Sequence, residues 1–514
     1  MNISSHEDIL EPARLQQQVK SDQMKNLFLE SNLSLGLLAK DTIFYGIVTG
    51  LSRATTIILV PIFTRTLSVV EFGIVDTLLL ISNAALLLGN AGIDSALMFY
   101  YYHVSEAEKG TYVATGMWIR LLMGLIVTAI AIVLAPVLSA FVFGTEKYSL
   151  WTSLTFLLVP VTLVMTYCFD LLRIERQRSW FLTLSALRVV VLLSGTLWVL
   201  YSYAEEKLEA FLLFRIVPDA LMAVILVVLL SKRYRLADFS LTAAKEILIY
   251  GVPFVPAVAM YWGLSFVDRW FLFQNVSADE VGVYALAVKL GLILTLFSTA
   301  IQMAFNPFSM AVKDHEKSNE FYSRAFGFTM MSGCILLLFI GANLQFLISM
   351  FGGRQYFDAE EPALVLLLSN VCYTGYVFFA TGTNIQKKTV LNVFSFGASL
   401  LTAIVLTALL VPLWGSMGAA LAIMIANGTL ACLALYFSQN VHPVPYNVKR
   451  VGAGVLMCTG IVFLMGMLSP TGNLGRIVLN NLIALGSTFV LVKVMLSRDQ
   501  SQKLWHRLGL ARLT

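Results

Sequence analysis

Six basic side chains, Arg53, Arg120, Arg188, Arg215, Arg269 and Lys289, fall inside long apolar runs of this chain. A basic group at the centre of a membrane helix costs about 2.5 to 3.5 kcal/mol on the insertion scale, so these side chains are expected to face protein or water. Arg215 has Asp219 one helical turn further on and reads as a self-paired structural site. Arg53 has no carboxylate within two turns and needs either a partner from another helix or an anionic ligand.

Helical phase gives each of these residues a face. At about 100° per residue, Thr42, Gly46, Thr49, Arg53 and Thr56 share one side of a first span. Asp76, Asn83, Asn90 and Asp94 line up along a second. Tyr261, Ser265 and Asp268, with Arg269 at the border, form a stripe on a seventh; Thr295, Thr299, Gln302 and Asn306 form one on an eighth. Lys289 lies off that last stripe by roughly a quarter turn. Two readings of the stripes are open: interhelical hydrogen-bond seams, or the wall of a wet central cavity. Full charges beside amides and hydroxyls on corresponding helices favour the cavity. Asp76, Asp94 and Asp268 are candidates for coupling to H+ or Na+, or neutralise a nearby arginine. Pro253, Pro256 and Pro307 interrupt the seventh and eighth spans and are candidate hinges.

The elements that must hold these residues are membrane helices. Hydrophobic residues make up 58% of the 514 and charged ones 13%, against about 25% charge in a soluble protein. Fourteen apolar runs are long enough for the bilayer core: 41–63, 74–100, 113–143, 150–173, 180–202, 210–231, 247–273, 281–311, 325–350, 363–385, 390–413, 417–438, 450–468 and 476–496. The fold class expected is therefore an all-α polytopic membrane protein with fourteen transmembrane helices. Placing both termini and the loops after even spans on one side collects 24 of the 35 lysines and arginines there, against 5 in the loops after odd spans. That side is cytoplasmic by the positive-inside rule. The net charge of +5 reads as topology and headgroup contact, not as a nucleic-acid surface.

Two segments are near-copies. Leu67-Ser68-Val69-Val70-Glu71-Phe72-Gly73-Ile74 returns as Val276-Ser277-Ala278-Asp279-Glu280-Val281-Gly282-Val283, and each copy follows a span that opens on Tyr-Gly, Tyr45-Gly46 or Tyr250-Gly251. The chain reads as a cytoplasmic segment (1–40), a first six-helix lobe (41–240), a second (241–441), and two further helices with a cytoplasmic tail (442–514). Duplicated bundles around a shared site suit alternating access better than catalysis. Catalytic signatures are missing: the five cysteines, Cys168, Cys334, Cys372, Cys432 and Cys458, lie within spans as packing residues, and the five histidines are scattered. No metal or cofactor is expected, and the chain does not read as an enzyme.

The run from Pro61 to Tyr102, PIFTRTLSVVEFGIVDTLLLISNAALLLGNAGIDSALMFYYY, and the stretch from Pro412 to Tyr436 resemble the polysaccharide-transport branch of the MOP superfamily, which holds Wzx-like oligosaccharide flippases. That resemblance implies two pseudo-symmetric six-helix lobes plus two C-terminal helices, around a cationic cavity lined mainly by spans 1, 2, 7 and 8. It implies a flippase that moves undecaprenyl-pyrophosphate-linked oligosaccharide across the bacterial cytoplasmic membrane, with a polysaccharide polymerase or glycosyltransferases as partners. Arg53, with Arg269 and Lys289, would then hold the diphosphate, because guanidinium groups make paired, charge-assisted bonds to phosphate. Asn83, Asn90, Gln302 and Asn306 would hydrogen-bond sugar hydroxyls, and Tyr261 and Trp262 offer faces for stacking. Arg120 and Arg188 fall outside the lining so expected. Two other readings stay open, a cation-coupled multidrug-type exporter and a non-transporting membrane partner of a polysaccharide assembly complex.

Overall fold

The structure, a computed structural model, describes residues 55–175, 177–202, 207–231, 238–311, 313, 318–468 and 473–495. Its secondary structure is all helical among these residues. In the first half the helices are α1 (Thr55–Thr66), α2 (Val69–Asn90), α3 (Ile93–His103), α4 (Glu106–Val133), α5 (Ala135–Phe143), α6 (Ser149–Phe156), α7 (Leu158–Ile174), α8 (Arg178–Ser202), α9 (Lys207–Phe214) and α10 (Ile216–Leu229). In the second they are α11 (Leu241–Gly251), α12 (Val255–Asn275), α13 (Ala278–Ala311), α14 (Ser318–Ala342), α15 (Leu344–Phe351), α16 (Glu360–Ile385), α17 (Val390–Val441), α18 (Val448–Leu468) and α19 (Asn473–Met495).

Eleven helices among the described residues are long and apolar enough to cross a membrane, and the protein is a multi-pass membrane protein. One of the eleven, α17, bends at Gly415, whose φ of 52° and ψ of −130° leave the helical region. Ser399 Oγ donates to the Ala426 carbonyl across 2.7 Å, so the two arms of α17 lie side by side as the expected eleventh and twelfth spans. The seventh span is broken as its prolines suggest: α11 ends at Gly251, a 3-10 turn holds Val252–Phe254, and α12 begins at Val255. Pro307 behaves otherwise. The eighth span, α13, runs through it to Ala311, so the expected break there is not made.

The repeated segments have a local and a long-range role. Ser68 caps α2 with a capping box, Glu71 N donating to Ser68 Oγ at 3.2 Å and Ser68 N to Glu71 Oε2 at 2.8 Å. In the second copy Glu280 N still donates to Ser277 Oγ at 3.3 Å, but the Glu280 carboxylate reaches across to accept from Ser416 N at 2.6 Å. The glycines of the two copies then meet: a Cβ on Gly73 would lie 2.8 Å from Gly282 N, and one on Gly282 only 2.0 Å from the Val69 carbonyl oxygen. At the far end of α2, Ala91 and Gly92 take left-handed conformations, and a Cβ on Gly251 would lie 2.4 Å from the Ala91 carbonyl oxygen. Between these contacts Trp262 Nε1 donates to the Leu80 carbonyl at 2.9 Å. Helices α2, α12 and α13 thus form the seam between the halves.

The last two helices pack outside that seam. Cys458 Sγ donates to the Cys334 carbonyl at 3.3 Å, Asn481 and Asn343 exchange amide hydrogen bonds, and Arg476 pairs with Glu360 at 2.6 Å. Cys168, Cys334 and Cys458 are buried, and all five cysteines are free thiols.

Candidate functional site

Asp76 and Asn83 stand two turns apart on α2 and face the same side. Asp76 is buried, and two cations from the other half of the chain reach it. Lys289 Nζ bonds Asp76 Oδ1, and Arg269 Nη2 lies 3.3 Å from Asp76 Oδ2. Arg269 also pairs with its neighbour Asp268, Nη1 to Oδ2 at 3.0 Å, and donates to the Ser265 carbonyl at 3.0 Å. Tyr284 donates to Asp268 Oδ2 at 2.7 Å and lays its ring 5.8 Å from the guanidinium. Two carboxylates meet two cations across the seam, so this cluster carries no net charge.

These residues wall a cavity of about 530 Å³. Its lining takes Thr56 from α1, Asp76, Ser82 and Asn83 from α2, Tyr261, Ser265, Asp268 and Arg269 from α12, and Lys289 and Thr295 from α13. It also takes Thr162 from α7, Arg188 from α8, Arg215 from the joint between α9 and α10, Ser369, Asn370 and Tyr373 from α16, and Asn427 from α17. A second group of charges sits in this wall. Fully buried Asp219 accepts from Arg188 Nε at 2.7 Å and from Thr162 Oγ1 at 2.8 Å, while Arg215 Nη1 stands 3.5 Å from Asp219 Oδ1. On the opposite side Thr295 donates to Asn370 Oδ1 at 2.7 Å, and Asn427 to Ser369 Oγ at 2.8 Å. An outer pocket of about 360 Å³ continues from Tyr261 and Tyr373 past Gln302, Tyr376, Asn384 and Phe396.

The cavity reading of the stripes gains residue by residue. Thr56, Asp76, Asn83, Tyr261, Ser265, Asp268, Arg269, Lys289 and Thr295 all reach the cavity, Lys289 despite its offset phase. Gln302 lies in the outer pocket. Asn90 and Asp94 do not line the cavity, and the left-handed turn at Ala91 and Gly92 redirects the chain between them. Arg53 and the side chains of Asn306 and Pro307 lie outside the described residues. Trp262 is occupied at the seam and stacks on Phe266 at 4.7 Å. Two expectations change. Arg188, expected outside the lining, lines the cavity, and Asp219 serves both Arg188 and Arg215, so Arg215 is not simply self-paired. Arg120 stays apart from the cavity, buried beside Thr166 and Asp170.

A family model described as polysaccharide biosynthesis protein matches residues 62–361. The chain belongs to the polysaccharide biosynthesis protein family. Solved structures of membrane transporters share its fold. The lipid II flippase MurJ in an inward closed conformation superposes with a TM-score of 0.72 at 14% identity, over 91% of this chain and 99% of that one. An inward-facing multidrug resistance transporter of the MATE family superposes at 0.56 with 15% identity, over 80% of this chain and 95% of that one. A Vibrio cholerae MATE transporter mutant gives 0.56 at 12% identity, over 79% and 97%. No curated protein matches the chain.

Proposed function

We propose that this member of the polysaccharide biosynthesis protein family is a flippase that carries a polyprenyl-pyrophosphate-linked oligosaccharide across the bacterial cytoplasmic membrane by alternating access between two lobes, residues 41–240 and 241–441. The observation that carries this reading is the charged cavity at the seam, where four basic side chains, Arg188, Arg215, Arg269 and Lys289, meet three acidic ones, Asp76, Asp268 and Asp219. A hydrated site with surplus positive charge suits an anionic headgroup. It would repel the organic cations that a multidrug-type exporter takes. The outer pocket supports the sugar part of the reading: Tyr261, Tyr373, Tyr376 and Phe396 offer faces for apolar sugar surfaces, and Gln302 and Asn384 offer amides for hydroxyls. Arg53 belongs to the proposed anion site by sequence. Both termini are placed in the cytoplasm by the distribution of lysine and arginine, and glycosyltransferases or a polymerase on either side of the step are the proposed partners.

The direct test is leaflet exchange in proteoliposomes. A fluorescent prenyl-pyrophosphate-linked disaccharide should move between leaflets with the protein present, and Arg53→Ala should abolish the movement while Arg53→Lys restores only part of it, since a point charge replaces a fork. Protein-dependent movement of a cationic dye with none of the glycolipid would overturn the proposal.

A further inference from the structure

The charges in the cavity wall are unevenly satisfied. Arg269 and Lys289 meet Asp76 and Asp268 two against two. Arg188 and Arg215 share a single carboxylate, Asp219, whose second oxygen already accepts from Thr162. One positive charge is thus left over on the first-lobe side. The nitrogens show the same surplus: buried Arg215 Nη1, though paired with Asp219 Oδ1 at 3.5 Å, completes no hydrogen bond among the described residues, and Arg188 spends only its Nε on Asp219. A charged donor buried without an acceptor loses its hydration and gains nothing in return, so such a pair is poised to receive an acceptor.

The surroundings narrow the acceptor. Both guanidinium groups face a side pocket of about 120 Å³ that shares Asp76 and Lys289 with the main cavity. Its lining also includes the apolar side chains Phe63, Phe72, Leu192 and Phe211. Phosphate oxygens at the mouth with a few carbons of an isoprenoid behind them satisfy both parts. Resting on the flippase reading, we propose that Arg188 and Arg215 form an anion subsite that takes the pyrophosphate of the prenyl carrier, with the first isoprene unit in the side pocket. Arg269 and Lys289 then serve chiefly to tie the halves together through Asp76.

The test uses the full-length protein in neutral detergent with labelled farnesyl pyrophosphate. Arg188→Gln and Arg215→Gln should each weaken binding about tenfold or more, as expected for loss of a charge-assisted bond. Arg173→Gln, at an exposed arginine outside the cavity, should leave it unchanged. Asp219→Asn should tighten binding, an effect that a purely structural aspartate would not produce. A variant that keeps every arginine guards against misfolding: Thr56→Cys, at a residue shared by both pockets, should react several-fold faster with an anionic methanethiosulfonate than with a cationic one. Farnesyl pyrophosphate should slow that reaction. Wild-type affinity in both glutamine variants, faster reaction with the cationic reagent, or displacement of the probe by phosphatidylglycerol as readily as by unlabelled probe would overturn the subsite. Loss of liposome transport activity with this binding pattern intact would remove the flippase reading and keep the subsite; transport with an unaltered probe affinity in the variants would remove the subsite alone.

Discussion

Asp76 takes hydrogen bonds from two cations contributed by the other half of the chain, and its burial makes each of those partnerships costly to break. Removing one member of a buried pair destabilises by about 3 to 5 kcal/mol, largely because the remaining charge is left alone. Asp76→Asn should therefore lower the unfolding temperature of the detergent-solubilised protein sharply. The double variant Asp76→Asn with Lys289→Gln should recover part of the loss, since no lone ammonium remains, and a double variant that melts no higher than the single one would show that the pair is not what the side chain stabilises. The same residues mark how far a sequence reaches toward a site. Phase along one helix is local information, and it put Asp76, Asn83, Tyr261, Ser265, Asp268 and Arg269 on the faces that line the cavity. Neighbourhood between helices is not local. Arg188 meets Asp219 from 31 residues away, and Asn370 and Asn427 are lone amides in apolar runs that gain meaning only once α16 and α17 stand beside the cavity.

Elements show a similar division between local chemistry and partner choice. The Ser-x-x-Glu repeat was legible as a signature, and its first copy closes a full capping box at the start of α2. The second copy lends its glutamate to another element: Glu280 accepts from Ser416 N just after the bend at Gly415 and so fixes the hairpin within α17 to the start of α13. No periodicity in the chain announces that loan. Gly415 carries φ +52°, and a Cβ there would lie 2.0 Å from Glu280 Oε1, so both conformation and space require glycine. Gly415→Ala should cost about 1 to 3 kcal/mol, the range for a residue held in a sparsely populated backbone region. Gly428→Ala lies in the same helix with open space around the added methyl group. It should be neutral or slightly stabilising. Comparable melting temperatures for the two alanine variants would refute the role of the bend.

Across the whole molecule, α2 touches the second half by bare backbone at both of its ends, Gly73 against Gly282 and Ala91-Gly92 against Gly251, with the cavity-lining residues Asp76 and Asn83 between them. Glycines let the halves approach without side chains to interlock, which keeps each contact close yet separable. Alternating access requires the halves to part at one end while staying closed at the other. A side chain at either glycine acts as a wedge. Gly282→Val would place its Cβ 2.0 Å from the Val69 carbonyl oxygen, and Gly251→Val would place its own 2.4 Å from that of Ala91. Each variant should bias the protein toward the state open at its own end, and a cysteine at exposed, cavity-lining Asn83 reports which. In sided vesicles, membrane-impermeant thiol reagents should label Asn83→Cys several-fold faster from the Gly282 end in the first variant and from the Gly251 end in the second. Transport should fall in both, because a state held open at one end is a cycle stopped. Labelling that rises from the same side in both variants, or that leaves transport intact, would mean that these contacts are packing seams and not the two ends of a switch.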